Sequence, residues 1–267
     1  MKRVLKVTLL AVLLATTFHS ETSAQEKFGI ILMHGKQSPP TDNRSGLPTI
    51  ASTLQGHGHK VIMPAMPWSQ GGWEKISVTV EQVFDMLDGY AAQLRSQGAQ
   101  RIVIIGHSLG ANIGLSYAAN RGNVAGLVMA APGHSPGFVY RSDSGKKSID
   151  RAAELMRSGH GADSYSGIDN NQGTSFTIGT TVAVYLSWLN PRGLASMDAQ
   201  APKLPASTAL LMVVGEKDPV FGRAKAALYD PAAKNPYSKY VTVGADHVQT
   251  PFAASKQIVD WIDGLPK

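Results

Sequence analysis

The sequence predicts an α/β fold with an open, mostly parallel sheet and helices on both of its faces. Six short apolar runs are nearly continuous instead of alternating with polar residues, which is typical of strands buried on both sides. Helical patterns lie between these runs, joined to them by short links. The 267 residues are 43% apolar and show no internal repeat, so they predict one domain with a large core.

The predicted elements follow the chain in alternating order. The six expected strands cover residues 28–33, 60–63, 101–105, 124–129, 209–214 and 239–243. The four expected helices of this framework cover residues 47–54, 78–95, 109–120 and 252–262. In the second of these helices, apolar residues recur at helical spacing and form one stripe.

An insertion interrupts the alternation after the fourth strand, at about 132–207. It contains helix-like segments at 149–157 and 181–189, and a polar run at 158–174 that is rich in Gly, Ser, Asp and Asn. A connection of this length is usually a lid, a cap or a binding segment. The alternative is a surface insertion without a role.

The first 24 residues have the pattern of a secretory signal peptide. A basic start is followed by an apolar stretch over 4–18 and by small residues ending at Ala24. A membrane anchor is the alternative, but about 15 apolar residues are fewer than a spanning helix needs. Cleavage would leave a mature chain of 25–267, exported to a periplasm or to the medium, with no stable membrane anchor.

Composition excludes several classes of protein and of site. No Cys is present, which excludes disulfides, thiolate metal sites, a cysteine nucleophile and a lipid-anchored N-terminus. Loss of the signal peptide would lower the formal net charge from +6 to about +4. The basic residues are scattered, so the sequence indicates no nucleic-acid partner.

The strongest chemical motif is the pentapeptide Gly106-His107-Ser108-Leu109-Gly110, which follows a buried strand and opens a helix. A sharp strand-to-helix turn lifts the hydroxyl of its central serine above the sheet edge, and flanking glycines leave room for that turn. A helix N-terminus behind the serine also directs amides at a developing oxyanion. Ser108 is therefore the candidate nucleophile.

A serine nucleophile needs a base and an acid that orients the base. His247 follows the last predicted strand, and Asp218 follows the strand before it, with Glu216 as a competing acid in the same loop. In their order Ser108, Asp218 and His247, and over residues 27–265, the chain resembles the α/β-hydrolase family. The family pattern G-x-x-D favours Asp218 over Glu216.

The resemblance implies further site residues. After the first strand, a His-Gly pair at His34 and Gly35 would build one half of the oxyanion hole, and the backbone N–H groups of Lys36 and Leu109 would be its two donors. An ordinary tight turn is the alternative for the His-Gly pair. Candidate substrate-pocket residues are His34, Gly35, His107 and Trp68, although Trp68 could equally be a core residue.

The remaining histidines and acids near the motifs have structural interpretations. Asp246 is expected to be a turn or capping residue, and His134 a pocket or loop residue. The His57-x-His59 pair could bind a metal ion, but no acidic partner lies nearby in the sequence, which favours a solvated loop. No metal and no cofactor are expected.

These observations predict an esterase- or lipase-like serine hydrolase that cleaves small-molecule carboxylic esters through an acyl-enzyme. Lipids, thioesters and peptides are alternative substrates, and the polar character of 158–174 argues against a lipase lid. A protein that uses the fold only for binding is the alternative from another class. The two antiparallel strands that lead the family's sheet are missing, and Ser108, not Asp, stands at the nucleophile position, unlike haloalkane dehalogenases and epoxide hydrolases.

Overall fold

The computed structural model describes residues 27–171 and 173–266. The predicted signal peptide, 1–24, lies outside the described residues. Within the described part of the chain, every helix is too short or too polar to cross a membrane.

Six parallel strands form the central sheet, and all six predicted strands are confirmed. The eight strands of the molecule are β1 (Gly29–Met33), β2 (Lys60–Ile62), β3 (Ile102–Ser108), β4 (Val124–Pro132), β5 (Ser164–Asn171), β6 (Thr174–Thr181), β7 (Ala209–Gly215) and β8 (Lys239–Val243). The order in the main sheet is β2-β1-β3-β4-β7-β8. β1 lies between β2 and β3, so β3 is the third of six strands and lies near the centre of the sheet.

Helices cover both faces of this sheet. They are α1 (Leu47–Gly56), α2 (Val80–Ser96), α3 (Leu109–Arg121), α4 (Pro136–Tyr140), α5 (Asp143–Arg157), α6 (Val182–Leu189), α7 (Met197–Gln200), α8 (Phe221–Ala224), α9 (Asp230–Ala232), α10 (Thr250–Ala253) and α11 (Ser255–Asp263). The single helix predicted at 252–262 is two helices, with a break at Ala254. A capping box between Thr79 and Gln82 fixes the start of α2 because each side chain bonds the other's backbone N–H.

The four inner strands β1, β3, β4 and β7 are buried on both faces, as their continuous apolar sequence predicts, whereas the edge strands β2 and β8 are partly exposed. In β1, Ile30 and Leu32 pack with the layer that contains α1 and α11. Ile31 and Met33 point the other way, into the layer that contains α2 and α3. This alternation gives the molecule two apolar layers separated by the sheet.

The insertion after β4 differs from the prediction in its middle part. The polar run 158–174 contains β5, the first arm of the antiparallel hairpin β5–β6, and the predicted helices on either side of it are α5 and α6. Gly167 in β5 lies against the Tyr185 ring, where an added Cβ would approach within 2.2 Å. The inward positions of β5 are thus a glycine and an acid, Asp169, so the usual apolar alternation of a half-buried strand is missing from the sequence.

Candidate active site

Three strand ends bring the proposed reacting side chains together at the carboxyl edge of the sheet. Ser108 is the last residue of β3, Asp218 lies in the loop after β7, and His247 lies in the loop after β8. In parallel α/β sheets this edge is where ligands bind, because all the strand-to-helix loops meet there.

Ser108 occupies a strained turn between β3 and α3. Its backbone has φ 55° and ψ −117°, a region that non-glycine residues rarely adopt. A Cβ on Gly106 would lie 2.3 Å from the Gly110 backbone, and one on Gly110 would lie 2.5 Å from the carbonyl oxygen of Met33. Glycine is therefore required at both ends of the motif, because the turn leaves no room for a side chain there.

A chain of two hydrogen bonds links the three side chains. Nε2 of His247 lies 2.9 Å from Oγ of Ser108, and Nδ1 of His247 lies 2.7 Å from Oδ2 of Asp218. A carboxylate only accepts, so Nδ1 carries the imidazole proton and Nε2 accepts from the serine hydroxyl. Asp218 is buried and its second oxygen accepts the Val220 N–H, whereas Glu216 is exposed. This arrangement can remove a proton from Ser108.

His107 supports the loop that carries His247. Its Nε2–H donates to the His247 carbonyl oxygen at 3.0 Å, and the two rings lie 5.3 Å apart. Burial, reinforced by the neighbouring His247, lowers the pKa of His107 to about 4. His107 was a candidate pocket residue, but the structure places it beneath the site with only 4% of its surface exposed.

The two expected oxyanion donors, Lys36 and Leu109, belong to segments that adjoin Ser108. Leu109 is the first residue of α3, so its N–H has no acceptor within the helix. The N–H groups of Gln37 and Ser38 bond Trp68 and Gly35, but that of Lys36 meets no backbone acceptor among residues 27–171 and 173–266. Gly35 itself lies against Ser108, since an added Cβ would be 3.1 Å from the serine Cβ.

His34 and Trp68 hold the Gly35 loop from below. Nε2 of His34 accepts the Met66 N–H at 3.1 Å, so its proton sits on Nδ1, which donates to the Gly35 carbonyl. Burial lowers the pKa of His34, against the opposing effect of that carbonyl. The Trp68 indole donates to the His34 carbonyl at 3.0 Å and is fully buried. Both side chains are interior and line no open pocket. For Trp68 the structure therefore agrees with the alternative of a core residue.

Two residues close to the site carry no sequence motif. Gly133, just after β4, lies so close to Ser108 that an added Cβ would be 2.6 Å from Oγ. Asp169, on the hairpin, is fully buried. The sequence analysis did not identify either residue because each becomes significant only through its contacts. The predicted strand 124–129 ends four residues before Gly133, so it gave no signal for this glycine, which directly follows the longer observed β4.

The His57-x-His59 pair does have an acidic partner, contrary to the sequence-based interpretation. The Asp263 carboxylate lies 2.7 Å from Nδ1 of His57 and 2.9 Å from Nε2 of His59. Nδ1 of His59 accepts the Phe28 N–H, so neither nitrogen of that ring is left for a metal ion. In the part of the chain that the structure describes, no three His, Cys, Asp or Glu residues are grouped to hold a metal.

Asp246 caps the turn before α10 by accepting the Gln249 N–H.

With this fold and geometry, the chain can be compared with known proteins. Residues 30–261 match the alpha/beta hydrolase family, and the chain belongs to that family. No curated protein sequence matches it.

Solved structures with the same fold include esterases and lipases. A monoacylglycerol lipase from Paleococcus ferrophilus is 20% identical, with a TM-score of 0.61 over 89% of this chain and 95% of the lipase. A carboxyl esterase from Bacillus coagulans is 14% identical, with a TM-score of 0.63 over 91% of each chain. Est1E from Butyrivibrio proteoclasticus, bound to ferulic acid, is 15% identical, with a TM-score of 0.56 over 91% of this chain and 89% of Est1E.

Proposed function

We propose that this protein is a serine hydrolase that cleaves carboxylic esters through an acyl-enzyme. The observation that carries the proposal is the hydrogen-bonded chain from Ser108 through His247 to Asp218, at a strained strand-to-helix turn. Membership of the alpha/beta hydrolase family supports the reaction class. The esterases and lipases with the same fold make a small-molecule ester the first substrate class to test.

In the first half of the reaction, Ser108 Oγ attacks the ester carbonyl carbon while His247 Nε2 takes the serine proton. His247 then gives this proton to the departing alcohol, and the acyl group stays on Ser108. In the second half, His247 activates water in the same way, and the carboxylic acid leaves. Asp218 keeps the imidazole proton on Nδ1 and stabilises the imidazolium that forms in each half.

The oxyanion of each tetrahedral intermediate is held by backbone N–H groups of Lys36 and Leu109. Loss of one such donor typically costs about 3 kcal/mol of transition-state stabilisation. The base in this mechanism is the neutral imidazole of His247.

We also propose that the first 24 residues direct export and are removed. The basic start, the apolar stretch and the small residues before Gln25 support this proposal. The mass of the protein recovered from cells that express the full chain tests it: a chain beginning at Gln25 is expected, and an intact N-terminus would reject cleavage.

Labelling by a fluorophosphonate probe tests the proposed function most directly. The probe should label the wild-type protein on Ser108, and labelling should vanish in Ser108→Ala and His247→Ala. His160→Ala is a matched control, because the His160 side chain is exposed and pairs with Asp163 alone among the described residues; its labelling should equal that of the wild type. A folded wild-type protein that takes no label would reject the proposal and favour a protein that only binds.

A further inference from the structure

A buried ion pair joins the inserted hairpin to the loop after β1. Nζ of Lys36 lies 2.6 Å from Oδ2 of Asp169, and the two side chains are 3% and 0% exposed. The indole N–H of Trp73 donates to the same carboxylate oxygen at 2.8 Å, and the Lys36 ammonium lies 4.4 Å from the centre of the Trp73 ring. Lys36 and Trp73 belong to the body of the molecule, and Asp169 to the insertion, so this contact docks one on the other.

His134 extends the contact to the loop after β4. Its Nδ1 accepts from Lys36 Nζ at 3.2 Å, and its Nε2–H donates to the Trp188 carbonyl of α6 at 3.0 Å. Burial, with the Lys36 charge adding to it, lowers the pKa of His134 to about 4. The ring is therefore neutral near pH 7, which is the state that accepts from a lysine.

The two loops that meet in this cluster also enclose Ser108. Gly35 and Gly133 each lie directly against the serine, and Lys36 and His134 are the residues that follow them. Displacement of the Lys36 backbone would therefore move a segment that touches Ser108. Lys36 also carries the N–H that the proposed mechanism aims at the oxyanion.

The cluster is poorly explained as a stabilising device. Removing two charges from water usually costs as much as their attraction returns, and an apolar pair of similar volume often folds as well. Burial opposes ionisation of Asp169, but the Lys36 ammonium outweighs it and holds the Asp169 pKa below its ordinary value. Oδ1 of Asp169 has no partner among the described residues, so the carboxylate is held by the contacts of its other oxygen. What such a pair does supply is a fixed register between two parts of a fold.

We infer that Asp169 is a positioning residue for the oxyanion hole: the docked hairpin holds Lys36 through its ammonium group and so fixes the Lys36 backbone N–H beside Ser108. Docking of the insertion and assembly of the site are then one event. The inference rests on the proposed ester hydrolysis for its effect on rate, but its effect on the loop at 34–38 is independent of any activity.

The test compares a charge-free cluster with a matched control. The double variant Lys36→Met/Asp169→Asn keeps the volume of both side chains and leaves no unpaired charge, so it avoids the unfolding that either single change invites. The amide oxygen at position 169 can still accept the Trp73 indole N–H. Thr180→Val is the control, because it removes another bond between the same hairpin and the body, from Thr180 Oγ1 to the Ile76 carbonyl. Each protein is assayed for kcat and KM on p-nitrophenyl acetate, for its thermal midpoint, and for amide hydrogen exchange.

The double variant should fold, with kcat lowered about 10- to 100-fold and KM within about threefold of the wild type, because the donor acts in the transition state only. Exchange should accelerate at 34–38 and 133–135 in the double variant and stay unchanged there in Thr180→Val. A folded double variant with wild-type kcat would overturn the inference, and so would unchanged exchange at 34–38. An inactive wild type would reject the proposed function, while the exchange result would still decide the inference.

Discussion

Two histidine–carboxylate contacts of nearly equal length lie at opposite edges of the sheet and have different consequences. At the carboxyl edge, His247 contacts Asp218 at 2.7 Å and turns its other nitrogen to a serine hydroxyl. At the amino edge, His59 contacts Asp263 at 2.9 Å and turns its other nitrogen to the Phe28 backbone N–H. A carboxylate contact therefore does not make a histidine a base; the group that faces its second nitrogen does.

Removal of each histidine should give the largest difference in kcat between the two contacts. His247→Ala should lower kcat on p-nitrophenyl acetate about 10⁶-fold, since members of such a unit fail together. His59→Ala should leave kcat within about twofold of the wild type, because His59 acts on structure alone. Steady-state kinetics on the two variants checks this, and a large loss of kcat in a folded His59→Ala protein would contradict it.

Removal of each carboxylate should give the next largest difference in kcat. Asp218→Asn should lower kcat about 10⁴-fold, because the amide permits the wrong imidazole tautomer and leaves the imidazolium unstabilised. Asp263→Asn serves as the matched control and should keep the wild-type kcat. Equal activity of the two variants would show that Asp218 does not orient the base.

The free energy of unfolding should fall more in His59→Ala than in His247→Ala, the reverse of the order expected for kcat. His59→Ala leaves the buried Phe28 N–H without its acceptor, which should lower the free energy of unfolding by about 1–3 kcal/mol. The His247 side chain is 12% exposed, compared with 2% for His59, so water can replace its contacts with Ser108 and Asp218, and His247→Ala should change stability by less than about 1 kcal/mol. Urea unfolding of both variants measures the difference, and a greater loss in His247→Ala would reverse the assignment of roles.

The smallest expected effect is a pH dependence at the amino edge. Burial opposes ionisation of Asp263, but hydrogen bonds from His59 and His57 outweigh it and hold the Asp263 pKa below its ordinary value of 3.8. A depressed carboxyl pKa contributes stability above the ordinary pKa and loses it as the pH falls through the folded value. The difference in thermal midpoint between the wild type and Asp263→Asn should therefore shrink as the pH is lowered from about 5 to about 2.5. A difference that is constant over this range would exclude the contribution.

Much of the framework was predictable from the sequence because it depends on local patterns. The continuous apolar runs located all six strands of the main sheet, and Gly106 and Gly110 indicated the turn at Ser108. The hairpin was missed because β5 presents Gly167 and Asp169 to the interior, where a strand pattern requires apolar residues. The Asp263 partner of His57 was missed because 206 residues separate them.

The α/β framework was predictable from the sequence because periodicity is a property of neighbouring residues, and the resemblance to the α/β-hydrolase family supplied the candidates Ser108, Asp218 and His247. The groups that each candidate contacts became known from the three-dimensional structure. It placed His107 and Trp68 beneath the site, and it brought Asp169 from a polar run onto Lys36. A buried polar group takes its role from its hydrogen-bond partners. These partners lie far apart in the sequence, so they form no local motif from which the contact could be predicted.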